Sequence, residues 1–175
     1  GFNPVKSIVD RIDYSNDTAT ASVRGPLTTN KQVFAATGNS DFGYFAGGHP
    51  GPISTVDRID YLNDTITASV KGPLSVARAY NAATGNSDFG YFGGSFPGPL
   101  SSVDRIDYSN DAATASLKGN LSVARYAFAA TGNQNFGYFG GGYFPSTKST
   151  VDRIDYASDT ATAVEKGPLS VARYS

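Results

Sequence analysis

Hydrophobic and polar positions follow one short cycle along the chain. In the segment 102–142, clusters of Gly, Asn, Asp and Ser separate four apolar or alternating runs: Ser102–Tyr108, Ala113–Leu117, Val123–Thr131 and Phe136–Phe139. Turn residues about every 8–12 positions are typical of short antiparallel strands. No run keeps the apolar spacing of a helix over three turns. The pattern therefore predicts four short β-strands in this segment.

The same cycle recurs about every 47 residues. The motif V-D-R-I-D-Y begins at Val9, Val56, Val103 and Val151, with spacings of 47, 47 and 48 residues. The motif F-G-Y-F begins at Phe42, Phe89 and Phe136. Four strands per repeat of this length match a β-propeller blade, whereas HEAT and armadillo repeats of similar length consist of helices. We therefore predict an all-β fold built from propeller blades of four antiparallel strands.

Each predicted strand has its own character, and we label the strands a to d from the inside of a blade outwards. Strand a is predicted as V-A-R-Y-A-F-A-A-T, strand b as F-G-Y-F-G-G, strand c as V-D-R-I-D-Y and strand d as T-A-T-A-S-V. Strands a and b are apolar or aromatic on both faces, which suits strands packed between neighbouring blades. Strand d is small and polar, which suits an outer edge because polar edges discourage aggregation.

The chain spans about 3.7 repeats and is predicted to be a single repeat domain, residues 1–175. It divides into a part-blade with strands c and d and the lead-in to the next blade (1–34), two repeats (35–81 and 82–128), and a repeat with a terminal stub (129–175). Propellers usually have about 4–8 blades, so we expect an incomplete ring. We favour part of a larger propeller. A ring completed by other copies of the chain and an open stack are the alternatives.

The order of these motifs resembles the kelch repeat. Kelch units carry a double glycine after strand b, a tyrosine in strand c and an arginine before strand a. The matching residues are Gly47-Gly48, Gly93-Gly94 and Gly140-Gly141; Tyr14, Tyr61, Tyr108 and Tyr156; and Arg78, Arg125 and Arg173, with Lys31 in the first copy. The strand d tryptophan of kelch repeats is replaced by Ala19, Ile66, Ala113 and Ala161. The resemblance implies a propeller and says little about function.

The near-identical units D-R-I-D-Y-S-N-D-T-A-T-A-S are also similar to repeat proteins of marine bacteriophages. That resemblance implies a virion- or tail-associated protein with an extracellular location. A cytoplasmic kelch-type adaptor is the alternative.

Composition limits the classes of partner and cofactor that we expect the protein to bind. The formal net charge of −1 gives no electrostatic attraction to nucleic acid or to anionic membranes. No apolar run approaches the roughly 18 residues of a membrane-spanning helix. The chain lacks cysteine, so disulfides and thiolate metal sites are excluded, and one histidine, His49, cannot by itself form a zinc site. We expect no metal, no other cofactor, no nucleic-acid partner and no membrane partner.

Asp-Arg dipeptides recur in every copy of strand c: Asp10-Arg11, Asp57-Arg58, Asp104-Arg105 and Asp152-Arg153. They could form a ring of carboxylates for general acid–base catalysis or ion pairs within and between blades. We favour ion pairs, because a catalytic residue rarely has to occur in every repeat. By similar reasoning, the Asn-Asp segments are interpreted as turns rather than Ca²⁺ loops, and the glycine pairs as backbone requirements rather than a phosphate cradle. No catalytic residue is predicted.

The copies differ most in the b–c loop and in the lead-in to strand a. Because strand direction alternates across a blade, both segments emerge on the same side, which we call the loop face. Binding sites on scaffold folds concentrate on such loops, and exposed aromatic side chains can stack on sugars or peptides. The candidate binding residues are His49, Tyr80, Phe96, Tyr126, Tyr143 and Phe144. For His49 we favour a solvated loop residue over a binding role.

These features predict a non-enzymatic structural or binding module. Its expected partners are other copies or the rest of a longer chain, together with a surface glycan or another virion protein. The intracellular alternative is a peptide-binding adaptor that uses the same loop face. An enzyme is disfavoured, since neither the copper ligands of kelch-like oxidases nor the Asp boxes of sialidases can be assembled from this sequence.

Overall fold

The computed structural model describes residues 5–174, and within this range the protein is all-β with four antiparallel sheets. The first sheet pairs β1 (Val9–Arg11) with β2 (Ser22–Arg24). The second contains β3 (Ala35–Gly38), β4 (Phe42–Ala46), β5 (Val56–Asp60) and β6 (Ser69–Lys71). The third contains β7 (Ala82–Gly85), β8 (Phe89–Gly93), β9 (Val103–Asp107) and β10 (Ser116–Lys118). The fourth contains β11 (Ala129–Gly132), β12 (Phe136–Gly140), β13 (Val151–Asp155) and β14 (Val164–Lys166).

Each four-stranded sheet has its strands side by side in chain order, which is the a-b-c-d order of a propeller blade. The prediction of an all-β, propeller-like fold is confirmed. Within the described residues the blades do not close into a ring. The first sheet has only the strands c and d of a blade.

Asparagine and aspartate set the short turns of each blade. In the a–b turn, the side-chain oxygen of Asn39 accepts hydrogen bonds from the backbone N–H groups of Asp41 and Phe42, each at 2.9 Å. At the end of strand c, Asp60 accepts from the N–H of Leu62 at 2.9 Å and starts a 3-10 turn, Tyr61–Asn63. The equivalent turns are Tyr108–Asn110 and Tyr156–Ser158. The tyrosine predicted as the last residue of strand c therefore begins a turn instead.

Strand a is shorter than its apolar run predicts. The run from Val123 suggests a strand of nine residues, yet β11 begins at Ala129. Ala127 has a φ of 53°, and Val33 and Tyr80 at the same position have values of 52° and 54°. A residue in the left-handed region cannot continue a strand, so the chain turns there. The residues before that turn form isolated bridges to the b–c loop, such as Leu100 with Arg125.

The hydrophobic core lies between neighbouring sheets. Strand β7 packs against β3 on one side and β11 on the other, so strands a line the inside of the arrangement. One core cluster, which includes Tyr44, Phe92 and Ile106, joins the second and third sheets. A second cluster, which includes Tyr91 and Phe139, joins the third and fourth. The sheets are therefore held face to face, as blades are.

Candidate functional site

In the three four-stranded blades, the first aspartate of the D-R-I-D motif forms a buried ion pair inside its own blade. Asp104 lies 3.1 Å from Nε of Arg78, and both side chains are fully buried. The guanidinium of Arg78 also donates to the carbonyls of Gly94 and Ser102 at 3.0 Å. The equivalent pairs are Lys31 with Asp57 and Arg125 with Asp152, each at 2.9 Å. Arginine before strand a thus ties the b–c loop to strand c.

Burial and charge act against each other in these pairs. Desolvation lowers the pKa of Lys31, while the neighbouring Asp57 raises it. The pKa of Arg78 is lowered by burial and raised by Asp104 in the same way. Each of the three carboxylates is thus buried directly beside a cation. Asp10, the equivalent residue in the first sheet, is exposed.

The neighbouring arginine reaches the next blade instead. Arg58 donates to Asp111 at 2.7 Å, Tyr44 donates its hydroxyl to the same oxygen at 2.9 Å, and Lys71 lies 3.3 Å from the other oxygen. Tyr91, Arg105 and Lys118 hold Asp159 in the same way. We call this arrangement the carboxylate latch. It consists of a tyrosine from strand b, an arginine from strand c and a lysine from strand d, which bind an aspartate in the following blade.

Aromatic stacking accompanies the latch. The ring of Tyr44 stacks on Tyr108 with centroids 4.6 Å apart, and Tyr91 stacks on Tyr156 at the same distance. Burial, with the adjacent Asp111 carboxylate, raises the pKa of the Tyr44 hydroxyl far above its usual range. The hydroxyl therefore stays protonated and donates to the carboxylate.

The carboxylate latch was not predicted from the sequence. Asp64, Asp111 and Asp159 were interpreted there as turn residues only. A signal was present. The tyrosine at the third position of F-G-Y-F and the lysine that ends strand d recur in step with the Asn-Asp turn. The turn aspartate thus recurs together with two cationic positions, the arginine of D-R-I-D and the lysine that ends strand d. Such joint recurrence indicates a contact between repeats.

The glycine pairs are partly out of register with one another. Ala46, Gly93 and Gly140 end strand b, since they pair with Ala35, Ala82 and Ala129. The repeated glycine is the next residue, and Gly47, Gly94 and Gly141 have φ values of 79°, 74° and 75°. The sequence alignment that matched Gly47 with Gly93 is therefore wrong by one position. Gly48 corresponds to Ser95 and Gly142.

The loop face carries a contiguous set of aromatic rings. Phe96 and Tyr126 have centroids 4.7 Å apart, Tyr80 lies 5.9 Å from Phe96, and Tyr143 lies 5.8 Å from Tyr126. Tyr174 extends the set at 5.3 Å from Tyr143. We call these five residues the aromatic row. Tyr80, Phe96 and Tyr174 are 37%, 41% and 61% exposed.

Backbone contacts between blades hold the row together. The N–H of Tyr80 donates to the carbonyl of Val33 at 2.8 Å, and the N–H of Ala127 donates to the carbonyl of Tyr80 at 2.9 Å. The N–H of Phe96 donates to the carbonyl of Ala79 at 2.9 Å. These bonds fix the loops of adjacent blades at a spacing that lets their rings touch.

Four of the six predicted binding residues belong to this row. Phe144 is exposed beside Tyr143, and His49 is exposed on a neighbouring loop with its backbone bridged to Gln32. Within residues 5–174, neither of these two side chains makes a ring contact with the row. Tyr174 was missed because it lies in the terminal stub, where no full repeat was available for comparison.

Beside the row, an open groove of about 380 Å³ runs along the fourth sheet. Its lining is mainly apolar and includes Phe128, Ala130, Tyr138, Leu169 and Tyr174. No group of three or more metal-binding side chains occurs in the part of the chain that the structure describes. Among residues 5–174, no helix has the length and apolar character needed to span a membrane.

Comparison with known proteins adds no family to this description. No family model matches the sequence, and no curated protein matches it.

Proposed function

We propose that the protein is a non-enzymatic binding module of kelch-like blades that recognises a glycan through the aromatic row. The observation that carries the proposal is the continuous contact of Tyr80, Phe96, Tyr126, Tyr143 and Tyr174 on the variable side of the blades. Tyrosine offers an apolar ring and a polar hydroxyl. A sugar ring likewise has an apolar face and a polar rim, so the two surfaces suit each other.

The carboxylates support a binding role rather than catalysis. Asp57, Asp104 and Asp152 are fully buried in ion pairs. Asp64, Asp111 and Asp159 are held in salt bridges between blades. Every strongly buried carboxylate among the described residues thus has a structural partner, whereas the aromatic rings of the loop face remain open to a ligand.

The proposed setting is the surface of a phage virion or tail. The likeness of the repeats to marine phage repeat proteins supports it, as does a scaffold whose copies differ most in the b–c loop and in the lead-in to strand a. A cell-surface glycan is the corresponding ligand. Another virion protein, or a peptide in the adaptor alternative, would use the same rings.

A glycan array tests the proposal directly. The wild-type chain is expected to bind a subset of glycans, and the double variant F96A/Y126A is expected to lose at least about tenfold in affinity, equivalent to about 1.4 kcal/mol. Leu62→Ala is the matched control, because Leu62 is 97% exposed in a c–d turn on the opposite side. Circular dichroism must show that both variants remain folded.

Two results would contradict the glycan proposal. One is the absence of binding to every glycan on the array. The other is binding that F96A/Y126A leaves unchanged. Selective binding to peptides, lost in the double variant, would replace the glycan proposal with the adaptor alternative.

A further inference from the structure

The two ends of the described chain each carry half of a carboxylate latch. The fourth sheet provides Tyr138, Arg153 and Lys166 at the positions of the tyrosine, arginine and lysine that bind an aspartate in the next blade. The first sheet provides Tyr14 and Asp17 at the positions that receive such a contact. Within residues 5–174, none of these five side chains makes the corresponding contact.

The donor half is ordered and unsatisfied. Arg153 forms no salt bridge within residues 5–174, whereas Arg58 and Arg105 at the same position bind Asp111 and Asp159 at 2.7 Å. The guanidinium of Arg153 lies 4.4 Å from the ring of Phe136, close to the 4.2 Å that Arg58 and Arg105 keep from their own phenylalanines. Arg153 therefore has the same orientation over its phenylalanine as Arg58 and Arg105. Those two arginines bind Asp111 and Asp159 in the internal latches.

The acceptor half is exposed where its internal equivalents are covered. Tyr14 is 92% exposed, whereas Tyr108 and Tyr156 are 9% and 8% exposed. Asp17 is exposed, whereas Asp111 and Asp159 are buried. In the internal interface the ring of Tyr108 stacks on Tyr44. The equivalent ring of Tyr14 is uncovered and can stack on a strand b tyrosine such as Tyr138.

The backbone shows the same complementarity. The N–H of Gly119 donates to the carbonyl of Asp159 in the next blade at 2.8 Å, and a Cβ added at Gly119 would collide with the carbonyl of Ala161. Gly25 and Gly72 make the equivalent contacts. At Gly167, the same position of the last repeat, an added Cβ would meet nothing within 4 Å. The space beside Gly167 is therefore open to a neighbouring blade.

We propose that a second copy of this chain covers the fourth sheet, with Tyr138, Arg153 and Lys166 binding Asp17 and Tyr14 of that copy. The interface is head-to-tail, because the two surfaces differ. Contacts of this type form rings where the rotation closes and open filaments where it does not. Two chains supply eight sheets, at the upper end of the usual range of about 4–8 blades. Apart from Tyr174, which lies in the aromatic row and also lines the groove, self-association and glycan binding use different residues, and they are tested separately.

A second copy is favoured over an unrelated ligand because two internal interfaces contain the full latch, and at a third Arg11 and Arg24 bind Asp64. The bond from Arg11 to Asp64 at 2.8 Å shows that a sheet with only strands c and d still engages its neighbour. In that contact the two-stranded sheet supplies the cation, whereas in the proposed interface it supplies Asp17, the position that Asp111 and Asp159 occupy in the internal latches. Burial of the apolar groove along Tyr138 and Leu169 adds to the driving force.

Sedimentation of complementary variants tests the interface. The wild-type chain is expected to form dimers or larger assemblies as its concentration rises from micromolar to millimolar. D17N lacks the carboxylate charge and R153Q/K166Q lacks both cations, so each alone is expected to stay monomeric. An equal mixture is expected to form dimers and nothing larger, since only one competent pair of faces remains. Asp41→Asn, at an exposed aspartate outside the latch, should associate like the wild type.

A backbone variant checks the same contact independently. Gly167→Ala is expected to leave the thermal melt of the monomer unchanged and to abolish association, because the added methyl group meets only the incoming copy. A wild-type chain that stays monomeric at every concentration would overturn the proposal. So would association that D17N, R153Q/K166Q and Gly167→Ala leave unchanged.

Discussion

At the scale of single residues, the buried ion pairs dominate the consequences of substitution. Removal of one partner of such a pair leaves an uncompensated charge, which costs about 3–5 kcal/mol. We expect Asp104→Ala to lower the free energy of unfolding by this amount, since Arg78 is fully buried and would lose its carboxylate. Urea denaturation followed by circular dichroism measures the change.

Asp10→Ala is the matched control for that prediction. Asp10 occupies the same position in the first sheet and is exposed. Its substitution is expected to change stability by less than about 0.5 kcal/mol, as is usual for surface positions. Equal effects of the two substitutions would show that the buried pair contributes nothing particular to stability.

The buried tyrosines predict a loss of stability in alkali. Burial raises the pKa of Tyr108 from 10.0 to about 12. Between those pH values the unfolded chain releases this proton while the folded chain retains it, so the free energy of unfolding falls as pH rises. Below pH 10 the contribution is fully present. Tyr108→Phe should reduce the fall between pH 10 and 12 by on the order of 2–3 kcal/mol.

Denaturation curves at a series of alkaline pH values measure this effect. Leu62→Ala is the control, because Leu62 is 97% exposed and carries no titratable group, and we expect it to leave the pH dependence unchanged. A Tyr108→Phe curve parallel to the wild type would refute the assignment.

At the scale of elements, the contact between strand d of one blade and the turn of the next is closely packed. Gly119→Ala places a methyl group against the carbonyl of Ala161, and overpacking of this kind costs about 1–3 kcal/mol. Gly167→Ala introduces the same change where space is open. We expect the first variant to lower the melting temperature of the monomer and the second to leave it unchanged. Equal melting temperatures for both variants would contradict the packing described here.

The strands could be predicted from the sequence wherever local chemistry decides them. Strand b and strand c were placed almost correctly, because F-G-Y-F and V-D-R-I-D are bounded by turn residues. Strand a was predicted six residues too early, with Val123 in place of Ala129 as its first residue. The cause is the left-handed backbone at Ala127. Alanine carries no local signal for that conformation, and only contacts with the neighbouring blade and the b–c loop favour it.

The candidate site was predictable in part. Variation among copies pointed to the loop face, and four of the predicted aromatic residues lie in the aromatic row. Their mutual contact depends on the spacing of blades, which the sequence of one repeat does not contain. The partners of Asp104 and Arg105 illustrate the same limit. These two neighbours in sequence bind Arg78 in their own blade and Asp159 in the next, because alternate residues of a strand face opposite sides.

At the scale of the whole molecule, the repeats form a nearly one-dimensional series. Within residues 5–174, the core clusters join sheets that are adjacent in sequence, so stability is approximately a sum of blade terms and interface terms. The backbone bond of Gly25, Gly72 and Gly119 repeats at all three interfaces, and the full latch with its stacked tyrosines occurs at the two between four-stranded sheets. Addition or removal of one complete repeat should therefore leave the remaining interfaces intact.

Deletion of residues 128–175 tests this additivity. The shortened chain, residues 1–127, ends at the same point of the repeat as the full sequence, and its last blade presents Tyr91, Arg105 and Lys118 as free latch donors. We expect it to keep the circular dichroism of the full chain per residue and to lose roughly a quarter of the denaturant m-value, which scales with the surface exposed on unfolding. It should also associate with the intact Asp17 turn of another copy, as proposed for the full chain. A shortened chain that is unfolded would mean that the blades stabilise one another only as a complete set.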